Sequence, residues 1–360
     1  MKVLLCTGRY YMGGIEKYVH DLAVNLSEKN IEVSLLVFYK IKNDDIGFLR
    51  SKNIKIYELN GKNGRDLKMN YSFYKIIRTL KPDIIHLNVI PFLSVLPLTF
   101  YNGKIIYTIH QLDQNRQVNK FFSKIIDGVI YLSENVERYY RNINYLPFSE
   151  RKIINNGIVN FNENLYKKPE EVINLIMVSR LAQDKQPDLA IEIIHYLIKN
   201  SSRIFHLTLV GEGDVDDTEY IRKIEKTIAE HSLSQYVTFA GWKKDVIPEL
   251  LNAQGFLMLS RKECFPYNVL EALSVGIPIF SFNVEGGLID MHQNDVTGIM
   301  IQDNNPIDLA KEIDNVFNTE RWKIYSENAF QRAKKFSISS MTEKTLTFYE
   351  ELLSKKRINP

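Results

Sequence analysis

Residues 261–278 read RKECFPYNVLEALSVGIP, and they join a polar loop to an apolar helix. Two glutamates, Glu263 and Glu271, stand eight positions apart on either side of a Phe-Pro step. A carboxylate just before a helix and a second one two turns inside it suit the hydroxyls of a sugar and of a ribose. The helix N-terminus between them suits the phosphates that join those groups, because its N–H groups and dipole favour negative charge. Alternatively, both glutamates lie on a solvated helix face.

Short apolar segments alternate with helical patterns along the chain, which predicts parallel sheets covered by helices on both faces. The strands predicted in the first half are Lys2–Thr7, Glu32–Phe38, Ile54–Glu58, Asp83–Leu87, Lys104–Ile109, Gly128–Leu132 and Lys152–Asn155. The helices predicted there are Ile15–Lys29, Tyr71–Leu80, Phe121–Ile126 and Glu134–Arg141.

The second half repeats this α/β pattern. Its predicted strands are Val172–Ser179, Phe205–Val210, Val237–Phe239, Gly255–Leu259, Ile277–Phe282 and Gly298–Ile301. Its predicted helices are Pro187–Lys199, Thr218–His231, Val246–Ala253, Asn268–Val275 and Ile307–Phe317, and a last helix is predicted at Met341–Lys355. Two patterns of similar size predict two doubly wound, Rossmann-like domains at residues 1–162 and 163–340, followed by a C-terminal helix in residues 341–360.

The length and composition of the chain are those of a soluble globular protein. A chain of 360 residues is long enough for two domains, and no apolar run of about 18 residues predicts a membrane-spanning helix. The two cysteines, Cys6 and Cys264, do not make a disulfide framework or a cysteine-based zinc site. Residues 1–7 predict a buried strand rather than a signal peptide, so a cytoplasmic protein is the simplest expectation.

The charge is divided unevenly between the halves of the chain. Residues 1–160 hold 23 Lys and Arg against 14 Asp and Glu, a net charge of +9, whereas the rest carries −6. A basic half suits an anionic partner such as a membrane surface, although lysines that only solvate the surface stay an alternative. Residues 62–81 and 116–124 mix basic residues with Phe or Tyr, which suits interfacial binding. No nucleic-acid-binding motif is present, so a nucleic acid is not expected as a partner.

Two segments of the first half follow predicted strands, where doubly wound folds bind their ligands. The loop after the first strand contains Gly13 and Gly14, and glycines there let backbone N–H groups approach a phosphate. Their spacing is neither that of the dinucleotide fingerprint nor that of a P-loop. His110 follows the fifth strand, where an imidazole can donate to a sugar hydroxyl or shuttle a proton. A structural turn and a plain hydrogen-bonding histidine stay alternatives.

The second half carries cations and an aromatic residue in corresponding loops. Arg180 and Lys185 follow its first strand, and two cations there could neutralise a diphosphate leaving group. An ion pair between Arg180 and Asp184 is the alternative. Gly211 lies in a glycine turn after the next strand, and Trp242 after the third strand offers an aromatic wall to a nucleobase. A hydrophobic residue that only caps the strand end is the alternative for Trp242.

The order of these motifs resembles the retaining GT-B glycosyltransferases, and most of all glycosyltransferase family 4. The motifs in chain order are Gly13-Gly14-Ile15-Glu16, His110, Asn156-Gly157-Ile158, Arg180 with Lys185, Gly211-Glu212-Gly213, Gly241-Trp242 and Glu263 with Glu271. The resemblance covers nearly the whole chain, and the block in the second half is its specific part. It implies two Rossmann-like domains that face each other across a cleft, with the C-terminal helix crossing back to the first domain.

The resemblance also implies a role for each candidate residue. Arg180 and Lys185 would hold the diphosphate, Glu271 the ribose and Glu263 the transferred sugar, and His110 would contact that sugar near its 6-position. The other residues implied in donor binding are Gly13, Gly14, Gly211, Trp242, Phe265, Pro266, Tyr267 and Asn268, and those implied in acceptor binding are Arg9, Glu16 and Gln111.

The chain departs from the family pattern at several positions. Gln186 stands where a glycine usually follows the lysine, Gln111 where Asp often follows the histidine, and Val159 where an Asp is typical. Cys264 replaces a common glycine, and residues 260–262 replace a Pro-Ser start. None of these changes removes a charged ligand, so they bear on the choice of sugar rather than on the class.

The reaction implied is transfer of a hexose or N-acetylhexosamine from a nucleoside diphosphate sugar, with UDP favoured. The acceptor would be a glycan or a lipid-linked glycan in surface polysaccharide biosynthesis, and retention follows from the resemblance alone. Arg180 and Lys185 would stabilise the diphosphate leaving group. No cofactor and no metal are expected, on the interpretation that the chain has no Asp-x-Asp motif to clamp a metal ion on the diphosphate. A peripheral contact of the basic first domain with an anionic membrane is a further expectation. The alternatives are a non-catalytic GT-B partner subunit, and an epimerase or phosphorylase of the same fold.

Overall fold

The chain forms two compact units, each with its own parallel sheet. The structure is a computed structural model that describes residues 1–11, 13–42, 46–112, 120–143, 146 and 149–355. Unit 1 contains Met1–Gly157 together with the chain from Ile338 onward, and unit 2 contains Ile158–Ser337. The units therefore divide after residues 157 and 337, whereas the sequence predicted divisions after residues 162 and 340.

Unit 1 is built on a seven-stranded parallel sheet. Its strands are β1 (Lys2–Thr7), β2 (Glu32–Val37), β3 (Lys55–Glu58), β4 (Ile84–Leu87), β5 (Lys104–Ile109), β6 (Gly128–Tyr131) and β7 (Glu150–Ile153). Its helices before the chain enters unit 2 are α1 (Gly14–Glu28), α2 (Ile46–Ser51), α3 (Leu67–Leu80), α4 (Val95–Leu98), α5 (Lys120–Ile125) and α6 (Glu134–Asn142). The strand order is β3-β2-β1-β4-β5-β6-β7, so the winding reverses between β1 and β4. Doubly wound folds bind ligands at such a reversal, on the carboxyl ends of the strands.

Local sequence explains how these elements form. β4 and β5 are buried along their whole length, as central strands of a parallel sheet require, and they consist mostly of apolar residues. Two helices begin at side chains that accept a hydrogen bond from the first turn. Asp66 accepts from the N–H of Met69 at the start of α3, and Ser133 accepts from the N–H of Val136 at the start of α6. The two caps fix where these helices begin.

Unit 2 is built on a six-stranded parallel sheet and a two-stranded ribbon. Its strands are β8 (Val172–Val178), β9 (Ile204–Val210), β10 (Val237–Gly241), β11 (Gly255–Met258), β12 (Lys262–Glu263), β13 (Ile279–Phe282), β14 (Glu285–Gly286) and β15 (Gly298–Ile301). Its helices are α7 (Pro187–Asn200), α8 (Thr218–Glu230), α9 (Ile247–Leu250), α10 (Tyr267–Ser274), α11 (Pro306–Asn318) and α12 (Trp322–Ala333). The order of the large sheet is β10-β9-β8-β11-β13-β15, so its reversal lies between β8 and β11.

The last helix, α13 (Ile338–Ser354), belongs to unit 1 and packs on α1. The hydroxyl of Tyr349 on α13 lies 2.5 Å from Nδ1 of His86, and Nε2 of His86 lies 2.6 Å from the Thr108 hydroxyl. All three residues are buried, and burial lowers the pKa of His86 to about 3. The end of the chain thus joins the polar core of unit 1 through a neutral histidine.

Every strand predicted from the sequence is present, with small differences at the ends. The strand predicted at Lys152–Asn155 is found two residues earlier, because pairing with β6 places Glu150 opposite Gly128. The short helices α2 and α4, the ribbon strands β12 and β14, and the whole of α12 were not predicted. In the described part of the chain, no helix has both the length and the apolar character needed to cross a membrane.

Candidate functional site

The loops that follow β8 and β11 meet at the reversal of the unit 2 sheet. The first loop carries Arg180 and Lys185, and the second leads to Glu263. The two loops are joined directly, because the N–H of Arg261 donates to the carbonyl oxygen of Asp184 at 3.0 Å. The fold therefore brings the predicted cations and the first predicted glutamate to one place.

Lys185 and Glu263 form a close ion pair, with Nζ 2.7 Å from Oε1. Their side chains are only 19% and 16% exposed, so the pair is largely removed from water. The carboxylate of Asp184 lies 3.5 Å from the same Nζ. Within such a pair, removal of one charge leaves the other poorly compensated. A cation and a carboxylate side by side can bind a phosphate and a hydroxyl of one ligand.

Arg180 is half exposed and lies among carboxylates. Its guanidinium nitrogens are 3.3 Å from Oδ1 of Asp184, 3.6 Å from Oδ2 of Asp214 and 3.9 Å from Oδ2 of Asp217. The pair with Asp184 that the sequence left open is thus present. Exposed pairs of this kind are individually weak, so phosphate oxygens of a ligand can replace them. The contacts with the loop after β9 were not predicted.

That loop also contains an Asp-x-Asp tripeptide, formed by Asp214 and Asp216 around one residue, so the expectation that the chain has no such motif is wrong. Such a tripeptide is one way to hold a metal ion against a diphosphate. Among the residues that the structure describes, no group of three or more His, Cys, Asp or Glu side chains is placed to hold a metal ion. Asp214 is instead directed at Arg180.

α10 begins directly after the Phe-Pro step. Pro266 is its N-cap and has extended backbone. Because proline has no polar side-chain atom, it supplies no side-chain hydrogen bond to the first turn. Nδ2 of Asn268 donates to the carbonyl of Val178 at 2.6 Å, which fixes the start of α10 against the end of β8. The ring of Phe265 is buried against Phe336, with centroids 5.3 Å apart. The positive end of the helix dipole is therefore held beside the end of β8.

The side chains around this step differ in exposure. Tyr267 is buried, whereas Glu271 is half-buried on the second turn of α10. Cys264 is also buried, and burial together with the neighbouring Glu263 raises the pKa of its thiol. The rings of this segment serve packing, so a ligand here would meet carboxylates and backbone groups.

Two further predicted residues shape the neighbouring loops. The N–H of Gly211 donates to the carbonyl of Gly241 at 2.9 Å, and Gly211 has a φ of +131°. A Cβ at Gly211 would lie 1.9 Å from the carbonyl oxygen of Ser179, so only glycine fits there. Trp242 presents a half-exposed ring, and its backbone N–H donates to Oε1 of Glu212 at 3.4 Å. Gly211 thus sets the shape of the loop, and Trp242 offers a surface for stacking.

The ribbon of β12 and β14 fixes the backbone of Glu263. Lys262 pairs with Glu285 and Glu263 with Gly286 in parallel register. The N–H of Gly287 donates to the carbonyl of Glu263 at 2.8 Å. Sequence reasoning missed this ribbon. The turn-forming sequence Glu285-Gly286-Gly287, which follows a predicted strand, could have indicated it.

In unit 1 the loop after β1 leads into α1. Gly13 is the N-cap of α1, and both Gly13 and Gly14 are exposed. A Cβ at Gly13 would lie 2.6 Å from Oε2 of Glu16, so this carboxylate folds back over the helix start. Burial raises the pKa of Glu16. Arg9 is exposed, with its guanidinium 5.9 Å from the centre of the Tyr11 ring.

His110 follows β5 and contacts Asn88, which follows the neighbouring strand β4. Nε2 of His110 lies 2.9 Å from Oδ1 of Asn88, whose Nδ2 donates to the carbonyl of Cys6 at 3.3 Å. Because the amide oxygen faces the imidazole, Nε2 carries the proton and Nδ1 is the acceptor. Burial lowers the pKa of His110 to about 3, so the ring is neutral at ordinary pH. In this tautomer Nδ1 is the ring atom that can accept a hydrogen bond.

Asn88 is a site residue that sequence reasoning missed. Its signal was its place directly after the predicted strand Asp83–Leu87. Gln111, which was predicted, is exposed, and its backbone carbonyl accepts a hydrogen bond from the Tyr140 hydroxyl at 2.6 Å.

The fold and these motifs define a glycosyltransferase of GT-B type, and comparison with known families identifies the group. The model for Glycosyltransferase Family 4 matches residues 12–159, and the model for Glycosyl transferases group 1 matches residues 160–336. The chain belongs to this family of glycosyltransferases. It is accordingly an enzyme that transfers sugars.

Relatives and solved structures match nearly the whole length of this chain. An uncharacterized glycosyltransferase of Methanocaldococcus jannaschii is 26% identical, over 98% of this chain and 99% of its own. The GalNAc-alpha-(1->4)-GalNAc-alpha-(1->3)-diNAcBac-PP-undecaprenol alpha-1,4-N-acetyl-D-galactosaminyltransferase of Campylobacter jejuni is 24% identical, over 98% and 99%. The crystal structure of Anabaena HepE in complex with UDP and glucose superposes with a TM-score of 0.83 at 17% identity, over 98% of this chain and 100% of that chain. The similarity to HepE shows that the two chains share a fold.

Proposed function

We propose that this chain transfers a hexose or an N-acetylhexosamine from a UDP-sugar, with retention, to a glycan or lipid-linked acceptor in surface polysaccharide biosynthesis. The observation that carries the proposal is the ion pair between Lys185 and Glu263 at the reversal of the unit 2 sheet, with Nζ 2.7 Å from Oε1. The pair places a cation that can bind a phosphate next to a carboxylate that can bind a sugar hydroxyl. Both lie at the edge of the sheet where doubly wound folds bind ligands.

The substrates of similar proteins support this choice. HepE was crystallised with UDP and glucose, although it shares only 17% identity with this chain. The Campylobacter relative is named for an acceptor linked through diphosphate to undecaprenol. A UDP-sugar donor and a lipid-linked glycan acceptor are therefore the substrates to test first.

The cations of unit 2 would act on the leaving group. Cleavage of the bond between sugar and diphosphate leaves negative charge on the diphosphate and positive charge at the anomeric carbon. Lys185 and Arg180 would exchange their carboxylate partners for phosphate oxygens, and the N-terminus of α10 would add its dipole. Charge that is already in place when the bond breaks is usually the largest catalytic contribution of a protein.

The carboxylates would orient the two ends of the donor. Glu271 would accept hydrogen bonds from the ribose hydroxyls, and Glu263 from the hydroxyls of the transferred sugar. Trp242 offers its half-exposed ring to the base. In the retaining reaction proposed here, the departing phosphate takes the proton of the attacking hydroxyl, so no protein base is required. His110, neutral and with Nδ1 as acceptor, would hold a substrate hydroxyl.

We expect the reaction to need no metal ion. Arg180 and Lys185 supply the positive charge that a divalent cation would otherwise bring to the diphosphate. Asp214, the first residue of the Asp-x-Asp tripeptide, has an exposed side chain that lies 3.6 Å from Arg180. Turnover in EDTA equal to turnover in Mg²⁺ is the expected result, and loss of turnover in EDTA would contradict this part of the proposal.

A non-catalytic GT-B partner subunit is the second candidate function. Such a subunit has no need of a donor site. Arg180, Lys185, Glu263 and Glu271 are all retained in this chain, and Lys185 and Glu263 are in contact. These residues favour the catalytic function, and a transfer assay with UDP-hexoses and UDP-N-acetylhexosamines distinguishes the two.

Replacing the two glutamates separates their proposed roles. Glu271→Ala should raise the KM for the UDP-sugar by about tenfold, because the ribose hydroxyls lose a charged acceptor. Glu263→Ala should act mainly on kcat and on the choice among sugars. Steady-state transfer assays measure both effects, and Glu285→Ala, on the same ribbon as Glu263, is the control. Wild-type kinetics in both variants would remove these roles.

The contact between Asn88 and His110 gives a further prediction. Asn88→Ala should lower kcat by about five- to tenfold, because His110 loses the partner that fixes its tautomer. Binding of UDP should not change, since Asn88 lies in unit 1 and the proposed diphosphate ligands lie in unit 2. Asn25→Ala, which loses a side-chain bond to the Asp21 carbonyl within α1, is the control. An unchanged kcat would show that the Asn88 contact does not serve the reaction.

The lipid-linked acceptor would bring the enzyme to a membrane surface. The net charge of +9 in residues 1–160 suits an anionic leaflet. Arg9, Glu16 and Gln111 are the residues of unit 1 proposed to meet the acceptor. We accordingly expect a cytoplasmic enzyme that associates peripherally with the inner face of the cell membrane.

A further inference from the structure

One face of unit 1 carries large apolar side chains that point into solvent. It consists of α3, the loop before it, the turn at Phe92–Ser94 and α4 with the residues that follow. Leu67 is 74% exposed, Phe92 is 65% exposed and Phe100 is 68% exposed. The other strongly exposed apolar side chains of this face are Tyr71 and Leu96. Apolar side chains that are clustered and exposed mark an interaction surface, whereas scattered ones do not.

These side chains lie on a rigid support. The N–H of Leu93 donates to the carbonyl of Gly64 at 2.9 Å, and the hydroxyl of Ser94 donates to the Asn70 side chain at 2.7 Å in a buried contact. α3 itself is anchored by a buried inner face whose members are Met69, Asn70, Phe73 and Ile77. The outward apolar residues therefore stay exposed because the backbone beneath them is fixed from behind.

Cations surround the apolar side chains. Residues 62–81 contain six Lys and Arg and one acidic residue, Asp66, while residues 92–100 contain no charged residue. The Asp66 carboxylate accepts hydrogen bonds from two backbone N–H groups, which lower its pKa. Arg65 lies 5.8 Å from the centre of the Phe92 ring, and Lys75 lies 4.5 Å from that of Tyr71. Positive charge and apolar surface are thus interleaved on one face.

An open cleft of about 820 Å³ lies beside Phe92 on this face. Its lining includes the cations Lys62, Arg65 and Lys68, and also Asp66, whose carboxylate oxygens accept hydrogen bonds from the backbone N–H groups of Lys62 and Met69. A cleft with three cations and one exposed ring at its edge suits a phosphate-bearing headgroup whose acyl chains lie next to the ring.

We propose that this face docks unit 1 on an anionic lipid bilayer, with Leu67, Phe92 and Phe100 entering the interface and the cations binding headgroup phosphates. The proposal deepens the function proposed above, since it supplies a residue-level contact for the expected peripheral association. A two-fold contact between copies of this chain would set the same cations against each other, which charge repulsion opposes. An anionic bilayer matches both the charge and the apolar side chains.

Flotation with lipid vesicles tests this docking face on the full chain. The wild-type protein should float with vesicles of equal parts phosphatidylcholine and phosphatidylglycerol, and should stay in solution with phosphatidylcholine alone. Binding should weaken as salt is raised, because the headgroup attraction is screened. Wild-type protein that stays in solution with the anionic vesicles would overturn the proposal.

Two variants test whether the vesicles bind to this face. A triple variant in which Lys62, Arg65 and Lys68 are changed to Gln should lose about fivefold in partitioning for each cation removed. A variant with Leu67→Ser, Phe92→Ser and Phe100→Ser should lose at least about tenfold, because less apolar area enters the interface. The control changes three exposed cations of unit 2 to Gln, and it should float like the wild type; its residues are Lys199, Lys223 and Lys226.

The outcomes separate this inference from the proposed reaction. Both docking variants should keep the wild-type thermal unfolding curve and wild-type UDP binding, since their side chains are exposed and lie in unit 1. Docking variants that float like the wild type would overturn the inference, as would sedimentation showing that the wild type self-associates through this face. Transfer to a water-soluble acceptor reports on the proposed reaction alone, so its failure would leave the flotation result standing.

Discussion

Lys185→Ala is expected to lower kcat by about 10²- to 10³-fold, because it removes a charge already in place for the departing diphosphate. The Nζ of Lys185 lies 2.7 Å from Oε1 of Glu263 and is largely shielded from water. Water that fills the vacated space reorganises as the bond breaks, whereas the fixed ammonium does not. The substitution also leaves the carboxylate of Glu263 without its cation, which is unfavourable at a partly buried site.

Steady-state kinetics with a UDP-sugar measure this effect, and the chain offers a matched control. Lys262 is adjacent to Glu263 in sequence, but its Nζ lies 3.2 Å from Glu285 on the exposed side of the ribbon. Lys262→Ala should therefore keep a kcat close to that of the wild type. A Lys185→Ala enzyme as active as the Lys262→Ala enzyme would place the leaving-group site elsewhere.

Gly211→Ala is expected to destabilise unit 2 by about 3 kcal/mol or more, because two costs fall on one residue. The φ of Gly211 is +131°, which a residue with a side chain rarely adopts. The added Cβ would also lie 1.9 Å from the carbonyl oxygen of Ser179, a backbone atom that cannot rotate away. To relieve this contact, the loops after β8 and β9 would have to move apart. That movement would also change the surroundings of Arg180.

Urea unfolding followed by circular dichroism measures the loss. Gly47→Ala serves as the control, since Gly47 lies in α2 and a Cβ there would meet no atom within 4 Å. Alanine inside a helix is favoured over glycine, so the control should be neutral or slightly stabilised. Equal free energies of unfolding for Gly211→Ala and wild type would mean that the loop after β9 does not have the backbone described.

The alternation of apolar strands with helices made the fold class predictable from sequence. β5 was predicted at the residues where it is found, because its run of apolar residues ends sharply at His110. α12 was missed because small residues such as Ser326 and Ala329 form much of its buried face, which leaves a weak apolar periodicity. The strands β12 and β14 of the ribbon have two residues each, which is too short for an apolar periodicity to predict them.

The candidate site was predictable as a set of residues, but the contacts among them were not. Strand ends marked Arg180, Lys185 and Glu263 as candidates, because ligands gather there in doubly wound folds. That Lys185 pairs with Glu263 depends on β8 and β11 being neighbours, and strand order is a tertiary property that local sequence does not encode. The orientation of His110 by Asn88 likewise depends on the neighbouring places of β4 and β5.

Equilibrium titration of the purified protein with UDP in EDTA tests the donor site most directly. We expect saturable binding with one site per chain, which persists in EDTA and is weakened in Lys185→Ala. Circular dichroism on the same samples establishes that each protein is folded. If the folded wild-type protein binds neither UDP nor any other nucleoside diphosphate, the assignment of Arg180, Lys185, Glu263 and Glu271 to a nucleotide-sugar site is wrong.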